Sequence, residues 1–428
     1  MRLKIKKLPN LEYNLYINNI NGILQALSLN LVVPYASIYT KRLGGGDRDI
    51  ALLNSYPAVF CLFAVFFGTY LYRKFKNKKK ITSIFFLLSR SFFLVFIFIP
   101  FLPTAFQPGA FVLLYGMMNF PNSIATMGWQ SYIGDLFNGN WRGRALSKRS
   151  TLSTMSALIV TFTAGNILYY IPKTNSDRMR LYQIFFIIAF VIAIFEVYSL
   201  SIQHLDKHSV QVEKVTPLKD KNSLVKLKEI LKMFKKNKPF LDFSLCVIFF
   251  HFTWQMGWPI FFTFEYDVLH SNEFWTSIVS TSSCIFQAVT YILWQKYSEK
   301  KGNRLLIFYA TMLMAFTPFI YLISKSMLNV ALLSVVSGSA VSGVTLLLLN
   351  NLYEVAPDSD RTTYIALYTI ITNITLMFAP ILGMKLKAAT NIYFALLIVG
   401  ILRILASIAF YLRYKKYKKL LLKKSAIV

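Results

Sequence analysis

Apolar runs of about twenty residues recur twelve times along the chain, and no other feature restricts its possible folds so strongly. A helix rising about 1.5 Å per residue needs about twenty such residues to cross a hydrocarbon core of roughly 30 Å. The first six runs cover approximately 15–39, 50–72, 81–102, 110–132, 150–171 and 181–202. The second six cover approximately 241–265, 274–295, 304–324, 328–352, 363–386 and 390–413. Lipid offers no water to backbone N–H and C=O groups, so each run is expected to be a helix. The fold class is therefore all-α, a polytopic membrane protein of twelve transmembrane helices set out as two six-helix pseudo-symmetric bundles.

A hydrophobic content of 55% exceeds that of soluble domains, which sit near 45–50% apolar. The formal net charge of +29 would suit a nucleic-acid binder if the basic residues shared one soluble face. They lie instead between the apolar runs, where anionic lipid head groups retain them, so no nucleic-acid partner is expected. Of the 47 basic residues, 36 fall on the side that holds both termini and nine on the other. Lys and Arg are retained on the cytoplasmic side, so both termini are expected to be cytoplasmic in a multi-pass protein of the cell (plasma or inner) membrane. The N-terminus lacks a compact apolar core before a small-residue cleavage site, and no cleaved signal peptide is expected. Cys61, Cys246 and Cys284 all sit inside apolar runs, without disulfide or metal-site spacing.

The polar stretch at 203–240 divides the runs six and six. This organises the chain as an N-terminal six-helix bundle (1–202), a cytoplasmic linker (203–240) and a C-terminal bundle with a basic tail (241–428). Leu224, Leu227, Ile230, Leu231 and Phe234 stand among lysines in the linker as a basic amphipathic helix, expected to lie on the anionic inner leaflet. A calmodulin-like partner is the alternative. Internal landmarks then repeat. Asp135 and Arg142 are spaced like Glu354 and Arg361, offset by 219 residues. Tyr72, Lys74 and Phe75 match Trp294, Lys296 and Tyr297 at 222, and Pro34 matches Pro259 at 225.

On these residues the sequence resembles the major facilitator superfamily of secondary transporters, whose halves are parallel repeats. The family's loop after its second span reads G-x-x-x-D-R-x-G-R-K. Gly68, Arg73 and Lys76 match it, whereas Tyr72 replaces the acid and Phe75 the glycine. The loop after the fourth span, with Asp135, Arg142, Gly143 and Arg144, looks like that of uncharacterised bacterial members. The fifth span lacks the G-x-x-x-G-P-x-x-G-G pattern of drug/proton antiporters. The resemblance implies alternating access, a monomer, and a central cavity lined by the first, fourth, seventh and tenth spans.

Polar residues inside apolar spans are where chemistry is expected, because lipid forces them onto partners or into a cavity. Asn14, Asn18, Asn21 and Gln25 step by four, three and four on one face of the first span, and Ser28 continues it. Asn119, Asn122, Thr126 and Gln130 repeat the pattern in the fourth. The seventh carries His251, Trp254, Gln255, Trp258 and Glu265. A cavity lining for a small-molecule substrate is one reading of Asn18, Asn21, Gln25, Asn119, Asn122, Thr126, His251, Trp254, Gln255 and Trp258. Helix-to-helix hydrogen bonds worth about 0.6 kcal/mol each are the other. Ser334, Gly338 and Ser342 in the tenth span read as a close-packing row.

Arg90 and Glu196 lie at depth and are expected to pair, as a structural link or a coupling site, while Arg403 is expected to snorkel. His251 and Glu265 are candidates to take up a coupling proton. Asp135, Arg142, Glu354 and Arg361 are candidate gating charges. Pro34, Pro57, Pro121, Pro259 and Pro380 are expected to bend or unwind their spans.

No nucleophile motif or phosphate-binding loop is visible, so neither an enzyme nor a cofactor is expected. With no Arg or Lys in the first or seventh span to hold phosphate, the amides and tryptophans suit a neutral polar or amphipathic solute. Transport by secondary or facilitated alternating access is the leading expectation. A lipid flippase and a non-transporting sensor or scaffold stand as alternatives.

Overall fold

A computed structural model describes residues 10–75, 77–137, 139–204, 237–357 and 361–425. The described residues are helical, with no strand among them. The helices are α1 (Asn10–Asn30), α2 (Ala36–Arg42), α3 (Asp47–Lys74), α4 (Lys78–Ile97), α5 (Gln107–Leu136), α6 (Gly139–Tyr170) and α7 (Asn175–Ser201). They continue as α8 (Lys238–Thr263), α9 (Glu273–Lys301), α10 (Asn303–Ala315), α11 (Thr317–Ile323), α12 (Met327–Val355), α13 (Arg361–Ala389) and α14 (Ile392–Ser425). α1 with α2 forms the first span and α10 with α11 the ninth, so the fourteen helices make twelve crossings. Eleven of these are apolar enough over eighteen residues to cross a membrane by composition alone. The other, α5, is 30 residues long, and Asn119, Pro121 and Asn122 lower its hydropathy.

Local chemistry sets the helix ends. The Asn77 side chain accepts from the N–H of Lys80 at the start of α4, and Asn237 does the same from Phe240 at the start of α8. Thr174 and Asp177 form a reciprocal capping box at the start of α7. Pro34 breaks the first span through a short 3₁₀ turn at Val33–Tyr35. Pro318 breaks the ninth, at the junction of α10 and α11. Pro57, Pro121, Pro259 and Pro380 instead lie within unbroken helices. The amphipathic helix expected around Leu224–Phe234 falls outside the described residues.

The chain forms two compact units, Met1–Glu213 with Ser271–Thr281, and Lys214–His270 with Ser282–Val428. Repeat-related helices pack alike in each. In the first unit α1 packs on α6 and α7, and α4 on α5 and α7; in the second α8 packs on α13 and α14, and α10 on α12 and α14. The first unit's core is aromatic, with Tyr39 set edge-on to Phe111 at 4.8 Å and Phe96 to the same ring at 5.1 Å. In the second unit Phe240, Val247, Phe250, Leu347 and Phe410 share one core. Lipid tails are as apolar as these side chains, so such cores hold by close packing.

The small-residue row of α12 permits such an approach. A Cβ on Gly338 would meet the Ser283 carbonyl oxygen of α9 at 2.5 Å, and Ser342 Oγ lies 2.8 Å from Thr290 Oγ1. Arg403 does not snorkel as the sequence suggests. It is fully buried, and its guanidinium donates to the backbone carbonyls of Thr253, Trp254 and Met314 at 3.4, 2.8 and 3.3 Å. The Met314 carbonyl is the one that Pro318, lacking an N–H four residues on, leaves without a helical donor. Arg403 thereby supplies a missing bond and ties α14 to α8 and α10.

Candidate functional site

The amide face of α1 divides between two neighbours. Asn14 Nδ2 donates to the His204 carbonyl at 2.7 Å, Asn21 Nδ2 to the Glu196 carbonyl at 2.9 Å, and Ser28 Oγ to the Ala189 carbonyl at 2.8 Å. These three residues, seven apart, stitch α1 to α7 and to the segment that follows it. Gln25 belongs with α6 instead. Nη2 of Arg149 donates to Gln25 Oε1 at 2.9 Å and to Asn21 Oδ1 at 3.0 Å. Asn18 lies between the two seams, 0% exposed, and neither polar atom of its side chain has a partner among the described residues.

On α5, Asn119 Nδ2 and Thr126 Oγ1 each donate to a carbonyl of their own helix, those of Tyr115 and Asn122, both at 2.8 Å. Asn122 reaches further, accepting at Oδ1 from Arg90 Nη1 at 3.2 Å. The expected pairing of Arg90 and Glu196 is present and two-pronged: Nε donates to Oε2 at 3.2 Å and Nη2 to Oε1 at 3.3 Å. Both are buried, at 0% and 1% side-chain exposure. An ion pair this dry holds only when its remaining hydrogen bonds are also met, and Asn122 and Ser89 meet those of Nη1.

The second unit presents a related arrangement. His251 Nε2 and Tyr368 Oη lie 3.2 Å apart, and Gln255 Nε2 donates to the Thr372 carbonyl at 3.3 Å, so α8 is bonded to α13. Tyr368 stands 219 residues after Arg149, the same offset that relates Asp135 to Glu354. In both units, then, a side chain of the fifth helix of the bundle reaches the polar face of the first. Trp254 meets Trp258 edge-on at 5.7 Å, and Trp258 is 37% exposed. Glu265, in a π-helical turn at Phe264–Val268 that extends α8, accepts a hydrogen bond from the hydroxyl of Tyr321.

Three of the four candidate gating charges, Asp135, Arg142 and Glu354, find partners inside their own units. Asp135 pairs with Lys78 at 2.8 Å, and Glu354 with Arg304 at 3.2 Å, so each joins the end of one helix to the start of a neighbour. Arg142 donates to the carbonyls of Gly134 and Phe137. The side chain of Arg361 lies outside the described residues.

Three features escape a reading of the sequence. Arg149 counts as a loop residue when the fifth span is begun at 150, but α6 starts at Gly139, and its turns carry Arg149 into the bundle, 7% exposed. Glu273 reads as a loop acid. It is instead buried in the first unit, where both its oxygens accept from Arg42, and Tyr182 Oη donates to it at 3.1 Å. Tyr72, which stands where the resemblance leads one to expect an acid, donates to the Ile124 carbonyl at 3.1 Å. Its repeat mate Trp294 donates through Nε1 to the Ser339 carbonyl at 2.8 Å.

The sequence profile described as Major Facilitator Superfamily matches residues 19–323 and, in a second alignment, 243–426. Solved transporters share the fold at low identity. A nucleoside transporter, NupG, aligns with a TM-score of 0.72 at 12% identity, over 94% of this chain and 100% of its own. A D-xylose–proton symporter aligns at 0.70 and 14%, over 93% and 96%. A bacterial homologue of the human lysosomal transporter Spinster, in an inward-facing conformation, aligns at 0.65 and 13%, over 96% and 98%. A search among curated proteins finds no match. Two repeat-related helical units, each with polar side chains bonded across its first and fifth helices, together with a profile match over nearly the whole length, place this chain in the major facilitator superfamily.

Proposed function

We propose that this multi-pass membrane protein carries a small polar organic solute across the cytoplasmic membrane by alternating access, with both termini in the cytoplasm. The supporting observation is the repeated polar seam, Arg149 on Asn21 and Gln25 in one unit and Tyr368 on His251 in the other. Buried polar groups in a membrane protein are costly, and a duplicated set at matching positions fits a solute-contacting polar face in each repeat. Asn18 and Asn122 supply further hydrogen-bonding groups in the first unit, and Gln255 and the Trp254–Trp258 pair supply hydrogen-bonding and stacking groups in the second.

Glu265 is the carboxylate we assign to proton coupling. Its hydrogen-bond partner is the hydroxyl of Tyr321, and it forms no ion pair among the described residues, so neutralising it leaves no cation stranded. Arg90 and Glu196 hold one another too completely for that task and serve as a structural pair. Asp135 and Glu354 act as conformational contacts at the helix ends, and the basic loops rest against anionic lipid. The protein works as a monomer and performs no chemistry on its solute.

Uptake and efflux in vesicles reconstituted with the purified protein, with and without an imposed pH gradient, test the proposal. Solute flux above that of empty vesicles is the expected result, with gradient dependence lost in Glu265→Gln. Movement of labelled lipid without solute flux would establish a flippase, and saturable binding without any flux a sensor.

A further inference from the structure

We infer that Arg149, Trp129 and the amides of α1 form a receptor for the anionic group of the solute, specifically a carboxylate. This deepens the transport reading and rests on it.

The argument starts from charge. The first unit buries two guanidinium groups, Arg90 and Arg149, and two carboxylates, Glu196 and Glu273, and both oxygens of Glu273 are taken by Arg42. Both oxygens of Glu196 are taken by Arg90. Arg149 is therefore a second cation in the same core with neutral hydrogen-bond partners, amide oxygens in place of a carboxylate. An ion in a low-dielectric interior carries a penalty of several kcal/mol unless an opposite charge offsets it. An ionisable residue kept inside a membrane bundle is accordingly a functional site first and a packing element second. Fastening α1 to α6 alone would need only an amide at position 149.

Geometry then shows how the group is prepared. The guanidinium carbon lies over the Trp129 ring, 4.3 Å from its centre, a cation–π contact. Nη2 is held by Gln25 and Asn21. Nη1 makes no hydrogen bond among the described residues, and Nε has no partner either. Ser153 Oγ, one turn along α6 from Arg149, and Nε1 of Trp129 are likewise buried without a partner, as is the Asn18 amide. Polar atoms buried without partners are uncommon, and each costs about 1–3 kcal/mol. Those of Ser153 and Trp129 adjoin the Arg149 side chain. Gly22 creates the slot: a Cβ at that position would stand 2.5 Å from Arg149 Cγ and 2.6 Å from Ser153 Oγ.

Such a group matches a carboxylate. With Nη2 taken by Gln25 and Asn21, the free N–H groups on Nε and Nη1 lie on different edges of the guanidinium, and each offers a charge-assisted hydrogen bond to an anionic oxygen. Trp129 and Asn18 provide an apolar face and an amide beside it for the rest of a small organic acid. The sequence places no Arg or Lys in the first span, and Arg149 supplies that charge to the span's polar face from α6.

The test uses the purified full-length protein in detergent at constant ionic strength. Melting temperature and tryptophan fluorescence are followed while benzoate and gluconate are titrated against benzamide and glucose, their uncharged counterparts. A saturable upward shift in melting temperature with a carboxylate, absent with its counterpart, is expected. Arg149→Gln should weaken the apparent affinity at least tenfold, and Arg149→Lys, which keeps the charge but loses the guanidinium's planar donor set, should restore only part of it. Should Arg149→Gln not fold, the wild-type fluorescence change on carboxylate binding, and its loss in Trp129→Phe, gives the same information. Equal shifts with charged and uncharged compounds, no carboxylate-specific shift, or a response unchanged by Arg149→Gln or by Trp129→Phe would overturn the inference. Vesicle flux separates this outcome from failure of the transport reading. Flux of uncharged solutes alone sinks the carboxylate receptor and leaves transport standing, whereas carboxylate binding without flux does the reverse.

Discussion

Tyr72 hydrogen-bonds the carbonyl of Ile124 and presses its phenol ring end against Gly128, one helical turn further along α5. Trp294 treats Ser339 and Gly343 in the same way on α12, 215 residues later in the chain. The duplication is thus carried by a packing device as well as by charges. Tyr72 is a wedge where the family resemblance would have placed an acid, and its ring needs the glycine opposite it.

A methyl group at that glycine has no room. A Cβ on Gly128 would lie 1.8 Å from the Tyr72 hydroxyl, and one on Gly343 would lie 2.5 Å from the Trp294 ring. Overpacking of this kind costs about 1–3 kcal/mol. Gly128→Ala and Gly343→Ala should each lower the melting temperature in detergent, and Tyr72→Phe should do so by no more than the loss of the hydroxyl's two hydrogen bonds, to the Ile124 carbonyl and with Thr82, about 1 kcal/mol each. If Gly128→Ala melted like the wild type, Tyr72 would not be wedged there.

Glu196→Gln should be among the most damaging single substitutions in the first unit. It strands the buried Arg90 guanidinium, and breaking one side of a dry ion pair costs about 3–5 kcal/mol. The double variant Arg90→Met/Glu196→Met should recover much of that loss, because it removes both charges together. Thermal unfolding of the two single variants and the double gives the coupling directly, and additive losses would count against a mutually dependent pair.

Asp135 meets Lys78 at an exposed helix end, where such a pair contributes about 0–1 kcal/mol. Asp135→Asn should therefore leave melting nearly unchanged while slowing turnover in vesicles more than it weakens solute binding. Equal loss of binding and turnover would argue against a role in the conformational cycle.

Trp258 is partly exposed and packs edge-on to Trp254. Trp258→Ala should shift stability by no more than about 0.5 kcal/mol, as substitutions outside a packed core usually do. If the ring stacks on the solute, the same change should raise the half-saturating concentration about tenfold. A large fall in melting temperature with unchanged solute affinity would assign Trp258 to packing alone.

Much of this protein was decided by the chain's linear pattern. Crossing a membrane demands about twenty apolar residues and satisfied backbone groups, which is a local condition, so the number, order and helical nature of the spans can be read without coordinates. Duplication is legible for the same reason, since Asp135 with Glu354 and Tyr72 with Trp294 keep their order and spacing. The pairing of Arg90 with Glu196 could be anticipated because two opposite charges at similar depth have few other partners. What the pattern left open is which neighbour each polar face meets. Asn21 and Gln25 share a stripe on α1, yet Asn21 also bonds α7 while Gln25 turns to α6. Arg149 looked like one more retained loop cation until the early start of α6 carried it inward. Arg403 looked free to reach water until three backbone carbonyls enclosed it. A helix repeats its side chains by an internal rule, but the direction each face turns is settled by packing against helices far away in sequence. That is why the spans belong to the sequence and the partner of each buried polar side chain belongs to the tertiary structure.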